Sequence, residues 1–156
     1  MNKVVLLIIK ILMVIVFIFL GGIYVYSNKV DTKYATEYAQ VFGSYNIEKV
    51  DRYLNENTLI TYKNITKPYK DLRKNVISAF DSKLFEMANG ASYGHGNNCF
   101  FNGVQSVGVQ TYVISERYNS EFVSMELERH GLVFYKVKSL TSSDDFFGYL
   151  FFGITK

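Results

Sequence analysis

The chain has no tryptophan, one proline, one cysteine and two histidines. A single cysteine, Cys99, excludes an intramolecular disulfide framework. No cysteine stands near residue 20, which excludes a lipoprotein-type lipid attachment behind the apolar start. Cys99 itself reads as a small core hydrophobe, because a catalytic thiol needs a positioned base and only His95 and His130 could serve. Two isolated histidines without further ligands at metal spacing imply no metal site. An excess of one charge is also missing. The 17 basic side chains less Lys3 and Lys10 leave 15 against 14 acidic ones, so the net charge of +3 belongs largely to the amino-terminal segment. A nearly neutral remainder lacks the electrostatic footprint of nucleic-acid binding.

One long apolar run is present. Val4 to Tyr26 is 23 residues with one charge, Lys10. About 20 apolar residues in a helix span the roughly 30 Å hydrocarbon core of a bilayer. Lys10 lies near the amino-terminal end, where it can snorkel, and with Lys3 it forms a basic flank. The expected organisation is a signal-anchor over residues 1–27, a polar linker over 28–32 and an extracytoplasmic domain over 33–156. On this reading the N-terminus is cytoplasmic and the protein is single-pass, with the lipid bilayer as partner through residues 4–26. Two alternatives stay open: a signal peptide cleaved near Ser27, giving a secreted protein, and a buried helix of a soluble one.

The remaining residues suffice for one domain. Tyr34, Tyr38, Val41 and Phe42 recur at helical spacing, and Gly43-Ser44 breaks the stripe. Asp31 could cap this helix and Asn46 a second one bearing Ile47, Val50 and Leu54. Thr58 to Tyr62 is a short strand. Pro68 opens a third helix with Tyr69, Leu72, Val76, Ile77 and Phe80 on its apolar face. After Lys83 the period falls to two. Strands are expected over Leu84–Asn89, Val104–Ser115, Phe122–Arg129 and Leu132–Leu140, with a hairpin turn at His130-Gly131 and a loop or bulged strand over Gly90–Asn98. The fold class is α+β, with helices packed on one face of a curved antiparallel sheet.

Tyr34 to Leu54 (YATEYAQVFGSYNIEKVDRYL) resembles the opening helix, break and second helix of the NTF2-like (cystatin-like cone) superfamily. His130 to Leu140 (HGLVFYKVKSL) resembles its closing hairpin, with Tyr135-Lys136-Val137 as the aromatic-Lys-aliphatic strand. The similarity covers roughly residues 33–140 and implies an N-terminal helix followed by a cone of about three helices on a curved sheet. It does not imply one activity, since the same cone hosts isomerases, dehydratases, adaptors and scaffolds.

An enzyme on such a fold would place a carboxylate and hydrogen-bonding tyrosines inside the cone. Tyr93, Tyr112, Glu126 and Tyr135 are the candidates, with Tyr135 opposite Glu126 if the turn has two residues and Glu128 on the same strand face. Their spacing forms no catalytic motif, and carboxylates are mostly solvated. Tyr93-Gly94-His95-Gly96 is followed by neither a helix start nor a basic residue, so it does not read as a phosphate loop. Lys70, Arg73 and Lys74 on the third helix could face anionic lipid. Phe146, Phe147, Phe151 and Phe152 of the aromatic tail FFGYLFFG could insert at a membrane interface, cover the core or plug the cone. Gly148 and Gly153 argue against a stable helix there.

These features point to a membrane-anchored, non-catalytic binding or assembly module that needs no cofactor and has a protein partner or a second copy of itself as its further contact. One version resembles the bitopic scaffold subunits of conjugation or secretion machines, in architecture only. The competing readings are a small-molecule binder or enzyme using the cone, and a secreted, unanchored protein.

Overall fold

A computed structural model describes residues 3–88, 91–95, 103–130 and 134–155, with backbone alone at 27–28, 91–95 and 134. The chain runs α1 (Lys3–Gly43), α2 (Ile47–Tyr53), β1 (Leu59–Tyr62), β2 (Ile65–Pro68), α3 (Tyr69–Ser82), β3 (Glu86–Met87), β4 (Ala91–His95), β5 (Val104–Ile114), β6 (Ser120–His130), β7 (Phe134–Ser142) and α4 (Asp145–Phe152).

The first helix departs from the expected organisation. It is unbroken for 41 residues, so the polar stretch at 28–32 is helical and no linker separates the apolar run from the domain. Asp31 is therefore not an N-cap. It lies buried in mid-helix and accepts a hydrogen bond from the Gln105 side-chain amide of β5. The helix changes character along its length. Val4 to Leu20 are exposed, whereas Val30, Ala35, Tyr38, Ala39 and Phe42 form a buried stripe at helical spacing. The reason for continuity is local. Ser27 to Thr32 contains no glycine or proline, and the buried stripe begins within one turn of the polar residues.

Asn46 caps α2 as expected, its side chain accepting from the Glu48 and Lys49 amides at 2.9 and 3.3 Å. Pro68 stands just before α3 as its N-cap residue, and also closes β2, a strand not foreseen. The sheet has seven strands in the order β2-β1-β7-β6-β5-β3, with β4 pairing on the same edge of β5 as β3. It is mixed: β1 and β7 are parallel, and all other pairs are antiparallel. Register shifts between Ser92 and His95 and between Glu126 and Leu127 mark bulges, which bend strands and increase twist.

Strict alternation puts Gln105, Val107, Val109, Thr111 and Val113 of β5 and Glu121, Val123, Met125 and Leu127 of β6 on the helix-facing side. Helices α1 and α4 lie on that face, and α3 packs against α4 and β2. The last helix forms in spite of Gly148 within it. Gly153 adopts φ 67°, ends α4, and lets the Gly153 and Ile154 amides reach the carbonyls of Tyr149 and Gly148. Gly148 is required by packing: a Cβ there would lie 2.7 Å from Cζ of Tyr62.

Candidate functional site

Residues Thr111 of β5 and Glu121 of β6 are cross-strand partners on the covered face. Helix α1 lays Tyr38 over them. The Tyr38 hydroxyl donates to Glu121 Oε2 at 3.1 Å, and Thr111 Oγ1 donates to the same oxygen at 3.3 Å. Glu121 is 1% exposed and Tyr38 is fully buried. Burial pushes the Glu121 carboxyl from 4.5 up to about 8, against the lowering effect of its two hydroxyl donors, and the Asp144 charge adds to the rise. Burial, reinforced by Glu121, also holds the Tyr38 phenol well above its ordinary value. Near neutral pH this is a largely protonated carboxyl. Its Oε1 has no hydrogen-bond partner among the described residues.

A neutral carboxyl beside a tyrosine is the kind of pair that polarises a carbonyl in proton-transfer chemistry. A substrate would have to reach it, and α4 occupies the approach. Phe146, Phe147, Leu150 and Phe151 are all buried. Phe151 meets Phe42 edge-on with ring centres 5.5 Å apart, and Phe42 in turn packs 4.8 Å from Tyr38. Phe146 meets Phe85 at 4.9 Å and Tyr118 at 5.5 Å. The tail thus fills the space between helices and sheet.

Of the expected cone residues, the described side chains of Tyr112, Glu126 and Tyr135 do not converge on one site. Tyr135 is buried, and its carbonyl accepts from the Tyr34 hydroxyl. Tyr112 is 60% exposed on the opposite face of the sheet. Glu126 lies on that outer face too, 3.7 Å from Lys138 Nζ and accepting from Ser139 Oγ at 3.2 Å. Gly131 of the expected hairpin turn falls outside the described residues. The ladder continues to His130 opposite Phe134, so Tyr135 faces Arg129 and Glu126 faces Ser139. Tyr93 lies in β4, and its side chain, like that of His95, falls outside the described residues, as does all of Cys99.

The membrane-facing candidates also divide. Phe146, Phe147 and Phe151 are core residues and cannot meet lipid, while Phe152 packs half-buried against Tyr62 at 5.7 Å. Lys70 and Lys74 are exposed on α3. Arg73 grips Asp51 of α2 through a fork, with Nε to Oδ1 at 2.9 Å and Nη2 to Oδ2 at 2.8 Å. That fork, with the Tyr69 hydroxyl, holds the Asp51 carboxyl below its ordinary value.

A cleft of about 510 Å³ opens at the end of the domain where α1 finishes. Leu84, Phe85, Ile114, Tyr118 and Tyr149 line it, with Lys83, Arg117, Glu86 and Glu116 around them. Leu84 and Ile114 are 67% and 63% exposed there. Glu121 and this cleft were both missed by sequence reasoning. Glu121 carried a signal: in the alternating run of β6 it shares the parity of Val123, Met125 and Leu127, which marks an acid on the inward face.

No protein-family model matches the chain, and no curated protein matches it. Solved structures do. A domain of unknown function with a cystatin-like fold from Nostoc punctiforme superposes with a TM-score of 0.57 at 12% identity, covering 83% of this chain and 87% of that one. A variant of Rd1NTF2_05 gives 0.51 at 10% identity, covering 70% and 92%. A provisional ketosteroid isomerase from Shewanella frigidimarina gives 0.51 at 9% identity, covering 70% and 90%. At such identities the likeness establishes the fold, which is NTF2-like and cystatin-like, and nothing of the activity.

Proposed function

We propose that this NTF2-like protein is a membrane-anchored binding or assembly module whose domain is displayed outside the cytoplasm and works without catalysis. The observation that carries it is the continuity of α1. A 23-residue run with one charge, exposed over most of its length, passes without a break into the helix that the sheet buries. A helix this long and apolar exceeds the span of a bilayer. The filled cone supports the non-catalytic half of the reading, because Glu121 and its Tyr38 partner are both buried, with Phe151 of α4 packed on Phe42 beside Tyr38. The exposed cleft around Leu84 and Ile114 is the surface offered to a protein partner or a second copy. A scaffold in a conjugation or secretion apparatus would be one form of such assembly.

The reading is tested by fractionation of cells expressing the full chain. Full-length protein should stay in the pellet after alkaline carbonate, with its C-terminal domain digested by protease added to intact spheroplasts. Release into the medium with a new N-terminus near Asn28 would overturn the anchor. A photo-crosslinking residue at Leu84 should give a discrete adduct with a partner or with the chain itself. Turnover of a small carbonyl substrate, abolished by Glu121→Gln, would overturn the non-catalytic reading.

A further inference from the structure

The straight passage from apolar run to domain determines which end of the cone meets the bilayer, and this rests on the anchored reading above. Tyr26 ends the apolar run, and the buried stripe starts at Val30. Around this exit stand the start of β5, where Gln105 holds Asp31, the end of β6 at Arg129, and the start of β7 at Tyr135, whose carbonyl accepts from Tyr34. Helix α3 and the α4 aromatics, the surfaces first considered for lipid contact, are not part of it.

Lys29 and Lys33 project from α1 at this level, one helical turn apart, both exposed. A shallow cleft of about 520 Å³ opens along Val25, Lys29, Thr32 and Lys33. Its composition matches its height. Val25 belongs to the apolar run, and Lys29 stands about 4.5 Å beyond Tyr26 at about 1.5 Å per residue. That places its ammonium in the headgroup layer, which occupies roughly 5–7 Å on each side of the hydrocarbon. Lys33 starts one turn higher and can extend its stem back toward the same layer. Two like charges one turn apart repel, and among the described residues Glu37, 3.7 Å from Lys33 Nζ across an exposed pair, answers the upper one. Arg129 and Lys136 add positive charge at the same end of the sheet, with Glu128 opposite Lys136.

We propose that Lys29 and Lys33 form a binding site for the phosphate headgroup of an anionic phospholipid, with Val25 and Thr32 as its floor. The site holds the base of the cone against the leaflet and limits rotation of the domain about its anchor. A juxtamembrane lysine contributes about a fivefold preference for anionic lipid.

The test uses the full chain reconstituted in vesicles of phosphatidylglycerol and phosphatidylcholine in equal parts, then extracted, with the retained lipid quantified. Phosphatidylglycerol should be enriched about fivefold or more. Lys29→Gln and Lys33→Gln should each reduce the enrichment, and the double variant should remove it, while Lys70→Gln with Lys74→Gln on α3 should leave it unchanged. Equal enrichment in the double variant overturns the site. Complete displacement of the lipid by millimolar glycerol phosphate also overturns it, in favour of a site for a free phosphate. Carbonate extraction of the same samples separates this outcome from failure of the anchor: a chain that resists extraction but shows no lipid preference sinks only the headgroup site.

Discussion

Glu121 is a carboxyl that burial moves into the neutral range. Its carboxyl is protonated in the folded protein up to about pH 8 and ionises near 4.5 when exposed. Between those values the folded state binds more protons than the unfolded state, so stability falls as pH rises through this window and levels off above it. Glu121→Gln keeps a neutral, similarly shaped group in place. The difference in Tm between variant and wild type should therefore grow in the variant's favour from pH 4.5 to pH 8. Parallel Tm profiles across that range would show that the buried carboxyl does not carry the effect. The Arg73–Asp51 fork is partly exposed, its side chains 43% and 34% accessible, so Arg73→Ala should leave the denaturant midpoint nearly unchanged. The parity of β6 places Glu121 inward, but a sequence does not say that Tyr38, 83 residues away, will supply the hydroxyl.

Helix α4 decides what the cone can do. Its rings close the interior, and its two glycines permit the closure. Phe151→Ala should destabilise the domain by about 3–5 kcal/mol, read from chemical denaturation, because a fully buried ring leaves a cavity. Gly148→Ala tests the close approach of Tyr62. A methyl there gains up to about 1 kcal/mol of helix propensity. It also pushes against a ring that donates to Asp145 at 3.2 Å, and overpacking of this kind costs about 1–3 kcal/mol. The net expectation is a lower Tm, and a raised one would mean that the Tyr62 ring moves freely. Element boundaries followed the sequence where a local signal exists, as at Asn46 and at the start of α3. The strand β2 carried no such signal because it is four residues long, and at the last helix a candidate cap at residues 142–145 competed with two glycines, so that α4 is held by burial more than by propensity.

On the scale of the molecule, α1 carries the apolar run and the core stripe in one helix, and on the anchored reading it is both anchor and core helix. From Tyr26 to Phe42 it advances 16 residues, about 24 Å, so the Leu84–Tyr149 cleft lies well away from the bilayer on the anchored reading. A fluorophore at Glu116 should escape quenching by lipid-borne spin labels, whereas one at Lys136 should be quenched. Similar quenching at both would mean that the helix bends at the exit. The amino-acid sequence by itself determined the apolar span, the change of period after Lys83 and the α+β class, because each is a repeating local pattern of polarity. The tertiary structure alone decided that the span and the first domain helix are one rod, that Glu126 faces outward while Glu121 is buried, and that the aromatic tail closes the cone. Those outcomes depend on register and on long-range packing. A one-residue slip in a ladder turns every side chain to the other face, and the register of β6 against β7 rests on a bulge that no local run of residues announces.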